Sequence, residues 1–452
     1  MALTGIQIYK LLPKTNCKEC GYPTCMAFAM KLAAGQEDLS KCPYASDEAK
    51  QQLAAAAKPP MRAVTIGTGD HQLTIGGELV MYRHEKKFFN PAPLMVRVKD
   101  TASADDINKT VEEVGNYSVD RVGMTFTFDG FAIQNDSGDA SKFASCVESV
   151  KSKTEMPLVL ISTDPDSMSA ALEKAGNDRP VIYAATKDNI DQMTELAKKY
   201  SCPLVVKSSN GLEELADLSG KASGAGVEDL ILDPGDRDFH GSLTAFTQMR
   251  RLAFRKFEPF GYPIISFPGE GASSVEEEVN LAGQHIAKYS NIVVMDSFSP
   301  AIAYTLLTLR LNVYTDPQKP IQLQAGLYQV GTPDEKSPLC ITTNYALSYF
   351  AISGEVEATG RPAWIMVVDT EGLSVLTAWS AGKFDADGIA AHIKQYDAGD
   401  KINHNSLILP GGVAILKGET EENLPDWKIL VGPREAAGIG GYFKQNAQIW
   451  EG

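Results

Sequence analysis

The sequence predicts an α/β protein of three domains: a small cysteine-rich N-terminal domain, a central (β/α)8 TIM barrel and a C-terminal doubly wound, Rossmann-like domain. Three observations predict this class. Four of the seven cysteines fall within the first 42 residues, eight apolar runs alternate with helical segments in the middle, and a shorter α/β series with glycine-rich turns follows. A length of 452 residues is also more than one domain usually contains.

Composition and charge narrow the functional classes. Apolar residues make up 44% and charged residues 22% of the chain, which is ordinary globular usage and excludes a disordered or fibrous protein. The net charge of -15 disfavours nucleic acid and anionic membrane surfaces as partners. No apolar run approaches the ~18 residues of a membrane span and the N-terminus lacks a signal-peptide pattern, so we expect a cytoplasmic protein.

Residues 1–58 form the predicted cysteine-rich domain, in which an alanine-rich helix over 47–57 follows Ser46 as N-cap and stops at Pro59. Its cysteines have the spacing Cys17-x2-Cys20-x4-Cys25-x16-Cys42. Four thiolates, with Pro43 directly after the last, are typical of iron-sulfur clusters, and we expect [4Fe-4S] rather than [2Fe-2S]. A structural zinc site is the alternative, although such sites usually pair two CxxC knuckles. Three further cysteines are predicted to be inert thiols: Cys146, Cys202 and Cys340.

Residues 59–92 alternate polar and apolar side chains between glycine-rich turns, which predicts a hairpin linker. From 93 to 328 the apolar runs recur at the spacing of one strand plus one crossover helix, and eight such units predict a TIM barrel. The eight predicted strands are residues 94–98, 122–128, 157–162, 180–186, 203–208, 229–233, 263–267 and 291–296.

The predicted carboxyl ends of the barrel strands carry four acids and one lysine, at the edge where barrel enzymes place their active sites. They are Asp129, Asp164, Lys187, Asp233 and Asp296. Acids here could serve in acid-base catalysis, but acidic strand ends are also ordinary helix N-caps, and no HExxH motif, paired histidines or phosphate-binding glycine loop accompanies them. We therefore favour a docking or cofactor-covering barrel over a catalytic one.

Residues 329–452 form the predicted doubly wound domain, with strands at 339–343, 363–369, 406–410 and 427–432. Ligands of open parallel sheets bind beyond the carboxyl ends of the strands, so the turns after these strands are the candidate site. The turns are rich in small and hydroxyl-bearing residues, with Arg434 as their main cation, and no GxGxxG motif occurs. We expect a flat ligand edged with neutral hydrogen-bonding groups, either a flavin or a corrin.

Four segments together point to a known family: NCKECGYPTCMAFAMKLA with Cys42-Pro43, TTNYALSYF, VVDTEGLSVLTAWSAGKF and VGPREAA. With the barrel between them, the chain resembles over essentially its full length the large (gamma) subunit of the corrinoid iron-sulfur protein of the reductive acetyl-CoA pathway, part of the acetyl-CoA decarbonylase/synthase system. The resemblance implies a methyl carrier with a [4Fe-4S] cluster in the N-terminal domain and a base-off cobamide in the C-terminal domain.

The resemblance also implies a reaction cycle and its partners. The cob(I)amide accepts a methyl group from methyltetrahydrofolate, presented by a methyltransferase, and passes it to the nickel centre of acetyl-CoA synthase. After oxidation to Co(II), the cluster held by the four N-terminal cysteines relays the electron that restores Co(I). The implied partners are the small subunit of a heterodimer, the methyltransferase, the synthase and a reductive activator.

The expected cobamide contacts lie in the four turns and on the helices that follow them. They are Thr342, Thr343, Asn344, Ser348, Thr370, Glu371, Gly372, Leu373, Ser374, Thr377, Gly411, Gly412, Pro433, Arg434, Glu435, Ala436 and Ala437. The DxHxxG motif that supplies an axial histidine is missing, and His392 and His404 lie outside the turns, so we expect no protein nitrogen on cobalt. By resemblance the DTEGLSVLT loop faces the lower side of the corrin, with Ser374 or Thr377 nearest the metal.

Two other classes stay open. One is a self-contained pterin-dependent methyltransferase whose barrel binds the pterin, which activity with free cobalamin and no second enzyme would reveal. The other is a ferredoxin-flavodoxin-like electron carrier with flavin in the last domain, which would contain no cobalt.

Overall fold

The computed structural model describes residues 5–33, 37, 39–46, 49–50, 59–121, 124–317 and 321–450. Its contacts divide the chain into two compact units. The barrel unit comprises Met1–Tyr117 and Thr127–Tyr314, and the sheet unit comprises Ser118–Phe126 and Thr315–Gly452. Within the described residues, no helix has both the length and the apolar character that crossing a membrane requires.

Two short helices, α1 (Gly5–Leu11) and α2 (Cys25–Ala33), form the N-terminal part of the barrel unit. They approach closely at Gly5, where an added Cβ would lie 2.3 Å from Met30 Sδ. Because this part of the chain is so short, its core is small, and cysteines supply several of its side chains.

Ser46 occupies the capping position that the sequence assigns to it. Its Oγ accepts a hydrogen bond from the Ala49 amide at 3.1 Å, which is the bond of an N-cap. Most of the predicted helix over 47–57 lies outside the described residues.

The segment before the barrel forms an antiparallel hairpin of β1 (Ala63–Ile66) and β2 (Leu73–Gly76). Its backbone bonds to residues that precede barrel strands, since Gly67 N donates to Arg179 O at 3.1 Å. Three fully buried side chains of the hairpin join the core inside the barrel: Val64, Ile66 and Ile75. The hairpin therefore closes the amino end of the barrel.

The prediction that residues 122–128 form a barrel strand is wrong. After β3 (Leu94–Lys99) and α3 (Ala104–Gly115), the short strands β4 (Val119–Arg121) and β5 (Met124–Phe126) pair antiparallel, and the barrel strand is β6 (Gly130–Gln134). An Asp-Gly pair is typical of a turn, but here the glycine opens a strand. Gly130 is required because a Cβ there would lie 2.2 Å from Pro157 O.

The other barrel strands form within the predicted segments. They are β7 (Leu158–Ile161), β8 (Val181–Ala185), β9 (Leu204–Lys207), β10 (Leu230–Asp233), β11 (Ile265–Ser266) and β12 (Ile292–Met295). The eight strands pair in parallel in the order β10-β9-β8-β7-β6-β3-β12-β11. A parallel bridge between Leu232 and Ile264 joins the two ends, so the sheet closes into a barrel.

Helices surround the barrel strands, as the alternating pattern predicts. After α3 they are α4 (Ala140–Lys151), α5 (Pro165–Ala175), α6 (Ile190–Tyr200), α7 (Leu212–Gly224), α8 (Phe239–Phe254), α9 (Val275–Ala287) and α10 (Pro300–Tyr314).

His285 on α9 should make the barrel unit sensitive to acid. Its side chain is buried against Phe246 with neither ring nitrogen bonded to a described residue, and burial lowers its pKa from 6.5 to about 4. Between pH 6.5 and about pH 4, His285 is therefore protonated in the unfolded chain but neutral in the folded chain. Stability is lost as the pH falls through this window. At 1.36 kcal/mol per unit, the loss amounts to about 3 kcal/mol.

The measurement is the free energy of unfolding at pH 7 and pH 4.5, followed by circular dichroism. His285→Leu should lose less stability between the two pH values than the unmodified chain does. Equal pH dependence in both proteins would show that His285 does not carry the effect.

The main sheet of the sheet unit has five strands among the described residues, of which four were predicted. They are β13 (Gly326–Val330), β14 (Leu339–Thr343), β15 (Ala363–Val368), β16 (Ser406–Leu409) and β17 (Lys428–Val431). The order is β13-β15-β14-β16-β17, parallel except for β13, which pairs antiparallel with β15 at one edge. Strand β13 was not predicted, and the expected domain boundary at residue 328 falls inside it.

Helices cover both faces of this sheet. They are α11 (Ala346–Thr359), α12 (Val375–Ser380), α13 (Ala386–Gln395), α14 (Lys417–Asn423) and α15 (Ile439–Gln445). Side chains of α11 and α15 pack on one face, whereas those of α12, α13 and the segment around α14 pack on the other. Because α11 follows β14 and α14 follows β16 on opposite faces, a crevice opens between the carboxyl ends of these neighbouring strands.

Candidate functional site

The four N-terminal cysteines are all free thiols, and three of them belong to one small apolar cluster. Cys25 and Cys42 are buried in it, Cys20 is half-buried at its edge, and Cys17 is exposed on the loop before α2. That loop is fixed to the helix because Asn16 Oδ1 accepts a hydrogen bond from Cys25 N at 2.8 Å. The donor set fits a thiolate-bound cluster, although among the described residues no three potential ligands lie close enough to hold a metal ion.

The remaining cysteines are buried. Burial raises the pKa of Cys146 to about 11 and the pKa of Cys202 and Cys340 to about 12. A thiol with such a pKa is protonated and unreactive at neutral pH.

Charged side chains fill the carboxyl end of the barrel, and they are paired with one another. Asp233 is fully buried and accepts hydrogen bonds from both terminal nitrogens of Arg237 at 2.9 and 2.8 Å, and one from the Tyr183 hydroxyl at 2.7 Å. Burial by itself would raise the pKa of Asp233, but the hydrogen bonds and charge of Arg237 outweigh it and hold that pKa below its ordinary value. Asp233 is therefore a fixed anion rather than a proton acceptor.

The pairing continues around the mouth of the barrel. Arg237 Nε lies 2.5 Å from Glu270, and Glu270 also accepts from Arg97 Nη1 at 2.9 Å. Arg97 Nε in turn lies 2.7 Å from Asp296, and both guanidinium groups face the ring of Phe267 at 5.2 and 5.3 Å. These contacts form an ion-pair network of three carboxylates and two arginines, in which burial raises the pKa of Asp296. The pairing favours a structural role for this network.

The structure also places the other three candidate residues that the sequence predicted at the barrel strand ends. Asp129 precedes β6, so it lies at the amino end of the barrel and not at the predicted carboxyl end. At the amino end its carboxylate accepts hydrogen bonds from Leu94 N at 2.8 Å and from Arg310. Asp164 is the N-cap of α5, and Lys187 is exposed. The Asp238-Phe239-His240 segment begins α8, with Asp238 capping the amides of His240 and Gly241.

An open cleft of about 400 Å³ lies at the carboxyl ends of β14, β16 and β17 in the sheet unit. Eight of the predicted contact residues line it: Thr342, Ser348, Ser374, Gly412, Pro433, Arg434, Glu435 and Ala436. Four further lining residues belong to the candidate turns or to the helix after β15: Val375, Leu376, Pro410 and Gly432. The other lining residues are mostly apolar and were not predicted: Cys340, Ile341, Ala351, Ile352, Ile408, Leu409 and Ile439. The i, i+3, i+4 spacing of Ser348, Ala351 and Ile352 on α11 is the sequence signal that could have found this face.

The other nine predicted residues do not line the cleft, and four of them hold the loop after β15. Asn344 is the centre of this loop: its Oδ1 accepts from Thr370 N at 3.0 Å and from Gly372 N at 2.9 Å, and its Nδ2 donates to Asp369 at 3.0 Å. Glu371 has a positive φ and an ion pair with Lys383. Asn344 and its partners therefore position the loop.

The remaining predicted residues have separate places. Thr343 points to the face of β14 opposite Thr342, Thr377 Oγ1 lies 3.0 Å from Ser374 Oγ, and Gly411 N donates to Pro433 O at 3.0 Å. Leu373 is half-buried against the core of the α12 and α13 face, and Ala437 is exposed. Of the two hydroxyls expected near the metal, only that of Ser374 belongs to a residue that lines the cleft.

Both histidines of the sheet unit already use their ring nitrogens. His392 Nε2 accepts from Asp369 N at 3.3 Å and Nδ1 bonds to Gly388 O at 2.8 Å. His404 Nε2 bonds to Ser337 O at 3.1 Å and Nδ1 accepts from Ser406 N at 3.1 Å. Because His404 precedes β16, it lies at the edge of the sheet opposite the cleft.

The cleft has the properties that a large, flat and mostly neutral ligand requires. Thr342 lines it, and its buried Oγ1 has no hydrogen-bond partner among the described residues, which leaves the hydrogen-bonding capacity of this hydroxyl unused. Five large apolar side chains are exposed on α11, α12 and the turn after β16: Leu347, Phe350, Leu376, Trp379 and Ile415. Apolar surface of this kind at a cleft is typical of a binding site. The residues present thus fit a corrin.

Two protein-family models match parts of this chain. The family model described as CO dehydrogenase/acetyl-CoA synthase delta subunit matches residues 63–443, and a second model, for an Fe-S cluster motif, matches residues 12–44. Among solved structures, dihydropteroate synthase from Thermus thermophilus covers 56% of this chain and 100% of its own at 15% identity, but its TM-score of 0.38 is too low to support a conclusion.

Curated relatives match along the whole chain. The corrinoid/iron-sulfur protein large subunit of Moorella thermoacetica is 43% identical over 99% of both chains. The acetyl-CoA decarbonylase/synthase complex subunit gamma of Methanopyrus kandleri is 35% identical over 99% of this chain and 98% of its own, and that of Methanothermobacter thermautotrophicus is 34% identical over 99% and 100%. With this identity over the full length, the chain belongs to the family of corrinoid iron-sulfur protein large subunits, the gamma subunits of acetyl-CoA decarbonylase/synthase.

Proposed function

We propose that this chain is a methyl carrier that binds a cobamide in the cleft of the sheet unit and a [4Fe-4S] cluster at Cys17, Cys20, Cys25 and Cys42. The cleft carries the proposal, because it combines an apolar rim, an unsatisfied buried hydroxyl and a single cation at the binding edge of a parallel sheet. Family membership and the Fe-S motif match over residues 12–44 support the cofactors.

When bound, the cobamide supplies a cobalt that takes a methyl group from methyltetrahydrofolate through a methyltransferase and delivers it to the nickel centre of acetyl-CoA synthase, and the cluster supplies the electron for reductive reactivation. The chain itself positions the cofactor and shields it from water. Asn344 and His392 hold the loop that leads to Ser374, and neither offers a free nitrogen to the cleft. The apolar lining excludes water, which disfavours the more highly charged states of a bound metal.

The partners in this proposal are a small subunit that forms a heterodimer, the methyltransferase, acetyl-CoA synthase and a reductive activator. The printed names of the relatives, a large subunit and a complex subunit, support assembly with other chains. Exposed apolar side chains around the cleft, such as Leu347 and Ile415, support coverage of this edge by a bound cofactor or partner.

Metal analysis of the protein purified without oxygen tests the proposed function. We expect cobalt together with iron in about fourfold excess over it, and no flavin. Zinc in place of iron would indicate the structural zinc site, and flavin without cobalt would indicate the electron carrier.

The Co(II) form should give the electron-resonance pattern of a base-off cobamide without nitrogen splitting. The ring nitrogens of both histidines in the sheet unit are hydrogen-bonded, so neither histidine has a free nitrogen for cobalt. Ser374→His, at the lining of the cleft, should introduce nitrogen splitting and shift the Co(II)/Co(I) couple to a more negative potential.

Thr377→His is the matched control, because Thr377 lies on the same short helix but does not line the cleft. It should leave both the spectrum and the potential unchanged. Nitrogen splitting in the unmodified protein would contradict this account of how Co(I) is reached.

A further inference from the structure

Arg434 is the charged residue of the cleft whose role the proposed function leaves open. Among the described residues that line the cleft, Arg434 is the one lysine or arginine and Glu435 is the one acid. The side chain of Arg434 is exposed, and no ion pair joins it to a described carboxylate. A cation without a partner at the edge of a ligand cleft is available to an anionic group of the ligand.

The backbone under Arg434 is firmly placed. Gly411 N donates to Pro433 O at 3.0 Å, and Gly432 N donates to Leu409 O at 2.8 Å, so the turns after β16 and β17 are bonded to each other. An added Cβ at Gly411 would lie 2.8 Å from Arg434 N, which shows how closely the two turns pack. The structure therefore holds Arg434 at one definite point of the cleft edge.

The charged side chains that line the cleft indicate which kind of anionic group the ligand carries. One positive and one negative side chain leave the cleft without net charge, which suits a ligand with a single anionic group better than a polyphosphate. The amide side chains around a corrin ring are neutral. A complete cobamide carries one formal anion on its periphery, the phosphodiester of the arm that bears the nucleotide base.

We infer that Arg434 binds the phosphodiester of the nucleotide arm, so that the cleft selects complete cobamides over corrinoids that lack this arm. The guanidinium group is suited to this task because its planar fork matches phosphate oxygens in a two-point contact. The inference rests on the proposed function, since it assumes that a cobamide occupies the cleft.

Binding of three corrinoids to the full chain tests the inference: cobalamin, cobinamide phosphate and cobinamide, each as Co(II). Cobinamide keeps the ring amides and lacks the phosphate, whereas cobinamide phosphate keeps the phosphate and lacks the nucleoside. Arg434→Gln should weaken the binding of cobalamin and of cobinamide phosphate by about tenfold and leave the binding of cobinamide unchanged. Added salt should reduce the difference, because the side chain is exposed.

Lys428→Gln is the matched control. Lys428 is an exposed cation on β17 as well, but it begins the strand and so lies at the opposite edge of the sheet. The same change of charge there should leave the dissociation constants of all three corrinoids unchanged.

Three results would overturn the inference while the proposed function stands. An equal loss for all three corrinoids would mean that Arg434 contacts a ring amide, no loss would mean that it contacts nothing, and a loss for cobalamin alone would mean that it recognises the nucleoside. If the unmodified chain binds none of the three, the proposed function itself fails.

Discussion

Replacing Cys42 by alanine should abolish the visible absorption of the iron-sulfur cluster and leave the cobamide bound. Cys42 is buried in the same apolar cluster as Cys25, so its thiol is sheltered from solvent, and alanine offers no ligand atom. The cobamide cleft belongs to the other compact unit and shares no residue with this cluster. Iron and cobalt content together with the visible spectrum of the purified variant provide the measurement.

Cys146→Ala is the matched control, since Cys146 is also buried but lies on α4 with a pKa raised to about 11. It should retain both the cluster and the cobamide. An intact cluster in the Cys42→Ala protein would show that the fourth ligand is another residue, and a loss of cobalt along with iron would show that the two sites depend on each other.

Asp233→Asn should destabilise the barrel unit by about 3 kcal/mol, because it removes one of the two carboxylates that compensate the burial of the Arg237 guanidinium and leaves it paired with Glu270. All four tryptophans lie in the sheet unit, at Trp364, Trp379, Trp427 and Trp450. Urea unfolding followed by circular dichroism should therefore shift to lower denaturant, while the transition followed by tryptophan fluorescence should stay in place. The cobamide content should not change.

Asp238→Asn provides the comparison at a nearby acid. Asp238 caps α8 from an exposed position, and asparagine caps helices about as well as aspartate, so this variant should unfold like the unmodified chain. Adding Arg237→Gln to Asp233→Asn should recover part of the lost stability, because the uncompensated charge is then removed. An unchanged circular dichroism transition in Asp233→Asn would mean that the network at the mouth of the barrel is not structural.

The sequence by itself determined the features that depend on neighbouring residues. Apolar runs at regular spacing located seven of the eight barrel strands and the four parallel strands of the sheet unit, because alternation and length are local properties of a strand. The exception was β6, which opens with a glycine that local rules assign to a turn. This strand needs a glycine because Pro157 approaches it closely, and that contact joins segments far apart in the chain.

Only the tertiary structure decided what the candidate side chains do. Asn344 and Thr370 are 26 residues apart, yet their hydrogen bond makes Asn344 a support of the loop after β15. In the same way, the pairing of β16 with β17 brings Gly411 against Arg434, and the pairing of β3 with β12 brings Arg97 against Asp296. Spacing along the chain could supply the list of candidate site residues. Burial and pairing across strands assign each residue its role, because hydrogen bonds and ion pairs act over a few ångströms of space, whatever the separation of the residues in sequence.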